Sequence, residues 1–214
     1  MDHCISSDIL EKWLTAWSLS RELPPPVNYK SGYKIEVGYE KQKIRYVFPK
    51  LTDDFIRLSE TIYEPWVFLK VCASPEELKS KVPGRWILQP QGYMMYRDAP
   101  MFIQNKDLPK GYRTEFDTYN STIVLRIISP DGEPASSGRL ILVDDLAVYD
   151  RIMTEKNHQR KGLAAFLMRE LERIALSENI SKNFLVATEQ GRGLYESLGW
   201  KVCSLYTSVV IPAE

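Results

Sequence analysis

Two hydrophobic periods divide the chain into elements. Leu146 to Met153 is a continuous strand-like run, and Thr154 to Gly162 is polar. From Leu163 the apolar positions fall at Phe166, Leu167, Leu171, Ile174 and Ala175, which is one face of a helix. Asn183 to Thr188 then reads as a buried strand and Glu189 to Leu198 as a short helix. Gly199 suits the helix C-cap, and Trp200-Lys201-Val202 opens another strand.

The first hundred residues show the same two periods. Ser7-Asp8 can cap a helix beginning near Ile9, with Leu10, Trp13, Leu14 and Trp17 inward and Leu23 to Pro26 ending it. Tyr33 to Val37 alternates as a strand, with Ile44 to Phe48 as its hairpin partner. Thr52-Asp53 caps a second helix with Phe55, Leu58 and Ile62 inward, and Trp66 to Val71 is a buried strand. Ser74 is the N-cap of a short helix starting at Pro75. Trp86 to Leu88 and Tyr93 to Tyr96 are two further strands. Pro100 to Tyr119 is polar and turn-rich, so the boundary between two halves, 1–105 and 106–214, falls there. Beyond it, Thr122 to Ile128 and Leu140 to Val143 form a hairpin with its turn at Asp131-Gly132.

The segment Gln159-Arg160-Lys161-Gly162-Leu163-Ala164 stands where the loop meets the helix. The first helical N–H groups have no partner inside the helix, and with the macrodipole they favour an anion. A glycine there lets a ligand approach the backbone, and Arg160 and Lys161 add positive charge. Alone, the segment is read equally well as a pyrophosphate cradle or as an ordinary loop with solvated basic residues.

A second segment adds to the first. Gly193-Leu194-Tyr195-Glu196-Ser197-Leu198-Gly199-Trp200 resembles the leucine-tyrosine … leucine-glycine-aromatic segment of the GNAT superfamily of acyl-CoA N-acyltransferases. Gln159 to Ala164 resembles that superfamily's CoA-binding loop, in the same order and at the usual separation. The resemblance covers roughly the last 75 residues. It implies an α/β (α+β) fold, a mixed and mostly antiparallel sheet flanked by helices, with a catalytic domain over 106–214. The first half repeats the order of helices and strands without a recognisable cradle. It is expected to be either a degenerate GNAT-like unit or an extension that completes the sheet.

The implied activity is an N-acetyltransferase that moves an acetyl group from acetyl-CoA to a primary amine, directly and in a ternary complex, without a metal. The alternative is a non-catalytic acyl-CoA-binding or regulatory module on the same scaffold. By position, the resemblance assigns Ile152, Met153 and Thr154 to backbone contacts with the acyl carbonyl and pantetheine. It assigns Gln159, Arg160, Lys161, Gly162, Leu163 and Ala164 to the pyrophosphate. Thr188 stands where the superfamily often has asparagine. Tyr195 falls on the usual general acid, a phenol able to donate to the leaving sulfur. For the base, Asp150 comes first and Glu189 second. On a regular strand Arg151 would point away from Asp150.

Composition narrows the setting. Lys plus Arg equals Asp plus Glu at 28 each, so there is no global basic footprint for nucleic acid. Cys4, Cys72 and Cys203 are far apart and form no CxxC pair, which argues against a disulfide framework or a zinc site. His158 reads as a solvated loop residue rather than a catalyst. No Gly-x-Ser-x-Gly elbow, complete Gly-x-Gly-x-x-Gly or P-loop occurs. Met1 to Ile5 lacks the basic-then-apolar pattern of a signal peptide, and no apolar run could span a membrane. The expectation is a cytoplasmic monomer or homodimer acting on a small-molecule amine, with no nucleic-acid or membrane partner.

Overall fold

The computed structural model of the chain describes residues 5–101 and 107–213. The expected boundary at 105/106 and residues His3 and Cys4 lie outside the described residues. The elements run α1 (Ser7–Leu19), β1 (Val27–Tyr29), β2 (Gly32–Tyr39), β3 (Gln42–Phe48), α2 (Asp53–Thr61), β4 (Val67–Val71) and α3 (Pro75–Lys79). They continue with β5 (Ile87–Leu88), β6 (Gly92–Arg97), β7 (Arg113–Tyr119), β8 (Thr122–Ile128), β9 (Pro134–Val143) and β10 (Leu146–Thr154). The last are α4 (Leu163–Ser177), β11 (Lys182–Thr188), α5 (Glu189–Ser197) and β12 (Lys201–Val210). No helix among the described residues is long and apolar enough to cross a membrane.

These elements gather into two compact units. One comprises residues 1–95, 186–192 and 202–214, and the other 96–185 and 193–201. In the first, β1, β2 and β3 pair antiparallel in turn, and β3 pairs parallel with β4 across the α2 crossover. The outer edge of β4 is taken by β12, antiparallel, from the far end of the sequence. Phe48, Phe55, Leu69, Val71, Leu78 and Trp86 form the centre of this unit's apolar core. Lys70 is buried on β4, where its ammonium donates to the Ser208 hydroxyl of β12 at 2.6 Å. Burial, with Arg45 nearby, holds its pKa well below the usual lysine value.

The second unit has β7, β8, β9 and β10 in an antiparallel meander, with β10 joined in parallel to β11 through α4. The helix packs on β9, β8 and β10. Gly138 permits this: a Cβ there would lie 2.5 Å from both the Ile152 and Leu167 side chains. The buried face of α4 is Leu163, Leu167, Met168, Leu171, Glu172 and Ala175. Phe166 and Ile174, expected inward, are only half-buried, because the stripe takes in Met168 and Glu172 instead. Glu172 is buried with its carboxylate accepting the Met101 N–H at 2.8 Å. Burial raises its pKa, while that bond and the Arg97 charge pull the other way. The fold is thus the expected mixed α/β class, with the parallel pairings β3–β4 and β10–β11 beside antiparallel ones.

Two strands escaped the pattern. Arg113 to Tyr119 lies inside the expected turn-rich boundary, yet it pairs residue for residue with Thr122 to Ile128. It is an edge strand largely exposed on both faces, so its sequence shows no apolar alternation. The short β1 is missed for the same reason. One cap also moves: Ser6, not Ser7 or Asp8, accepts the Ile9 N–H at 3.2 Å, and α1 begins at Ser7. The capping box at Ser74 and Glu77 forms as expected, with Pro75 opening α3.

Candidate active site

Strand β10 changes character along its length. Its parallel ladder with β11 runs from Leu146↔Lys182 to Val148↔Phe184. On the other side its register with β9 shifts between Asp150 and Met153, which face Arg139 and Ser137. Arg151 and Ile152 thus oppose Gly138 alone, and Arg151 adopts a φ of 50°. This is a β-bulge, and it cancels the regular alternation that would have turned Arg151 away from its neighbours. Backbone groups of Ile152, Met153 and Thr154 sit in this irregular stretch, where a ladder no longer consumes all of them. Ser136 Oγ on β9 donates to the Met153 carbonyl at 2.7 Å and holds the end of the bulge.

The loop that follows is buttressed from below. A 3-10 turn covers Lys156–His158. Gln159 Nε2 donates to the Thr154 carbonyl at 3.2 Å and ties the loop back to β10. Tyr112 is a partner that the sequence did not indicate. Its hydroxyl lies 2.8 Å from His158 Nδ1 and accepts from Lys161 Nζ at 3.1 Å. His158 is therefore a half-buried prop of the loop rather than a solvated residue.

At the top of the loop Gly162 is the N-cap of α4, with a φ of 77° and nothing within 4 Å of the position a Cβ would take. The first turn of the helix closes with the Phe166 N–H donating to the Gly162 carbonyl at 3.0 Å. The N–H groups of Leu163, Ala164 and Ala165 precede it and have no acceptor within the helix. The first turn of α4 contains no acidic residue, whereas α1, α2, α3 and α5 each carry one or more there. The positive end of α4 is thus open and flanked by Arg160 and Lys161, both exposed.

Tyr195 is buried at 7 % exposure, with its ring tilted against Trp200 at 6.1 Å between centroids. Trp200 in turn meets the edge of Tyr149 at 5.4 Å, and Tyr149 donates to Asn183 at 2.9 Å. Burial raises the Tyr195 pKa well above the ordinary phenol value, and the negative charge of Asp150 raises it further. The same unit therefore brings Tyr195 close enough to Asp150 to feel its charge. A phenol so shifted stays fully protonated at neutral pH.

Glu189 and Thr188 belong to the other unit. There the Tyr93 hydroxyl donates to the Glu189 carboxylate, and the Arg192 guanidinium lies 4.8 Å over the Tyr93 ring. The hydrogen bond to Glu189 is the main cause that raises the Tyr93 pKa. Thr188 Oγ1 accepts the Gly191 N–H at 3.1 Å, so its hydroxyl caps the start of α5. Tyr93 was expected only as part of a strand. No spacing connects it to Glu189, 96 residues away.

Comparison with known proteins bears on the family and the fold. The model of the acetyltransferase (GNAT) family matches residues 86–200. A protein of Bacillus subtilis (strain 168), named as a candidate acetyltransferase, is 29% identical over 90 residues; these are 42% of this chain and 61% of that protein, under two thirds of its length. Among solved structures, a GCN5-related N-acetyltransferase from Kribbella flavida shares the fold at a TM-score of 0.66 and 13% identity, over 98% of this chain and 96% of that one. Another from Sphaerobacter thermophilus gives a TM-score of 0.59 at 11% identity, over 86% and 78% of the two chains. With the family model spanning more than half of its length, the chain belongs to the GNAT family of acetyltransferases.

Proposed function

We propose that the protein transfers an acetyl group from acetyl-CoA to a primary amine, directly and in a ternary complex. The observation that carries the reading is one juxtaposition within the second unit. The bulged end of β10, the open N-terminus of α4 and the buried Tyr195 beside Asp150 occur together.

In this reading the pyrophosphate is held by Gln159, Arg160, Lys161, Gly162, Leu163 and Ala164, chiefly through backbone N–H groups. Ile152, Met153 and Thr154 offer main-chain groups to the acyl carbonyl and the pantetheine. Those N–H groups stabilise the carbonyl oxygen as it becomes negative. Asp150, or Glu189 as the second choice, accepts the proton of the attacking amine. Thr188 contributes through its place at the head of α5. The tetrahedral centre collapses by breaking the carbon–sulfur bond, and the Tyr195 hydroxyl donates to the departing thiolate. A thiol titrates near 8.5, well below this tyrosine, so the phenol acts as a hydrogen-bond donor more than as a full proton source.

The same reading makes residues 1–105 a degenerate GNAT-like half beside a catalytic half over 106–214. In its support, β3, α2, β4 and α3 repeat the parallel crossover and short helix of β10, α4, β11 and α5. Asp53 and Asp54 occupy the first turn of α2, where they would repel a pyrophosphate. The same reading takes the protein to be a cytoplasmic monomer or homodimer.

The test is a panel of amines assayed for acetyl-CoA-dependent thiol release. Release with at least one amine, together with the acetylated product by mass, is expected. Binding of CoA with no release from any amine would instead favour the non-catalytic module.

A further inference from the structure

The helix that carries Tyr195 ends in a paired turn. The Trp200 N–H donates to the Tyr195 carbonyl at 3.0 Å, and the Gly199 N–H donates to the Glu196 carbonyl at 3.0 Å. Gly199 makes the reversal with a φ of 87°. This is a Schellman cap, in which the residue after the glycine commonly packs its side chain on the helix's last turn. That residue is Trp200, and the ring it meets is Tyr195. Its other contact lies off the helix. The Trp200 ring meets Tyr149 nearly at right angles, with 5.4 Å between centroids. Tyr149 immediately precedes Asp150 on β10. We infer that Trp200 is a positioning residue, a spacer between α5 and β10 that sets the Tyr195 hydroxyl against Asp150 and the bulged end of the strand. The inference rests on reading Tyr195 as the donor to the departing sulfur.

The spacer is tethered on both sides. Arg97 Nη1 donates to the Gly199 carbonyl at 2.5 Å, and its Nε donates to the Pro100 carbonyl at 3.0 Å. The Arg97 side chain is buried, and its charge acts on the buried Glu172 of α4, whose carboxylate accepts the Met101 N–H at 2.8 Å. A planar guanidinium shared between two main-chain segments fixes their spacing, because its donors stand in a rigid fork. On the far side, the Tyr149 hydroxyl donates to Asn183 of β11 at 2.9 Å. Trp200 thus stands between a held main chain and a held ring, all within the second unit.

The indole itself needs a reason. Trp200 is 3 % exposed, and no acceptor among the described residues meets its Nε1–H. A buried donor without a partner costs stability, and a hydrocarbon ring would avoid that cost. What the indole supplies is breadth. It touches both tyrosines, and a smaller ring leaves a gap on one side. Such a gap lets the Tyr195 ring tilt without unfolding anything. A reacting group misplaced by about 1 Å costs up to about a hundredfold in rate. The position therefore trades an unpaired donor for a fixed distance between the two chemical groups of this unit.

The test is a double-mutant cycle in the full-length protein, on an amine that it acetylates. Trp200→Phe should lower kcat about three- to tenfold, with the acceptor KM and the calorimetric acetyl-CoA affinity unchanged. In a Tyr195→Phe background the same change should cost less than about twofold, because the hydroxyl it misplaces is gone. Tyr149→Phe keeps its ring and loses its tie to Asn183. It should lower kcat at least about twofold, again only where Tyr195 is present, and it decides the question if Trp200→Phe does not fold. A merely structural role lowers kcat by the same factor in both backgrounds; that result, or full kcat in Trp200→Phe, overturns the inference and leaves the acyltransferase standing. Loss of acetyl-CoA affinity in Trp200→Phe makes the residue part of the donor site and overturns the inference too. Full kcat in Tyr195→Phe alone removes the tyrosine from the mechanism and the inference with it. Absence of transfer to any amine overturns the acyltransferase as well.

Discussion

Gly162 offers the sharpest test of the cofactor cradle. Its φ of 77° costs a side-chain-bearing residue roughly 1–2 kcal/mol, while a Cβ there would meet no protein atom within 4 Å. Gly162→Glu should therefore fold, because single domains are stable by roughly 5–15 kcal/mol, with a melting temperature lowered by about 2–8 °C. Its carboxylate would enter the space above the free N–H groups of Leu163, Ala164 and Ala165. Against each phosphate charge about 5 Å away, the repulsion is about 0.8 kcal/mol in water and about 3 kcal/mol at an effective dielectric of about 20. Two such charges give at least about 1.6 kcal/mol before the lost dipole attraction is added. With that attraction, CoA affinity should fall at least about thirtyfold. Gly162→Ala has the same backbone strain and no charge, so its loss should be much smaller. Isothermal calorimetry with CoA, beside thermal melts of all three proteins, makes the measurement. Wild-type affinity in Gly162→Glu refutes the cradle, and equal losses in both variants refute the electrostatic account of it.

Three further outcomes follow from the geometry. Tyr195→Phe keeps the ring against Trp200, so it should fold and bind acetyl-CoA normally while turnover falls roughly tenfold to a hundredfold; equal turnover would remove Tyr195 from the mechanism. A fragment beginning at Met101 lacks β4, the partner of β12, and should be insoluble or molten; a cooperative melt with CoA binding intact would refute this. Glu172 has a pKa raised by burial, so the folded state binds its proton more tightly than the unfolded chain does. Its contribution to stability is full below the unfolded carboxylate pKa and is lost as pH rises through the folded one. Glu172→Gln keeps an acceptor for the Met101 N–H and should flatten the stability–pH profile on that alkaline side; an unchanged profile from chemical denaturation would refute the assignment.

Much of this architecture could be read from local pattern. The α4 helix, the β8–β9 hairpin and the Ser74 capping box each depend on residues within a few positions of one another, so periodicity and cap chemistry reveal them. The exposed edge strand β7 has no buried face and hence no apolar signal. The bulge at Arg151 is equally silent, because an extra residue in one strand is defined only by its partner's register. The cradle segment is contiguous and carries its own glycine and cations, so sequence alone can nominate it. Its props cannot be nominated that way. Tyr112 reaches His158 across 46 positions, and the Tyr93–Glu189 contact joins residues 96 apart.

The pairing of β12 with β4 also sets the order in which the molecule can be born. Thr207 lies opposite Val71, 136 positions earlier (207 minus 71), and Lys70 waits for Ser208 across 138. A ribosome adding about 5–20 residues per second needs roughly 7–27 s to cover that interval. Throughout it, β4 has its parallel neighbour β3 but an uncovered outer edge with Leu69 and Val71 nearby, a template for wrong pairing between nascent chains. The first unit therefore closes only after the second has been almost wholly synthesised, by a contact of long sequence separation that forms slowly. Assembly of the first unit accordingly waits until β12 has been made. The protein's yield in a cell should depend on chaperone capacity during those seconds more than on the stability of the finished fold.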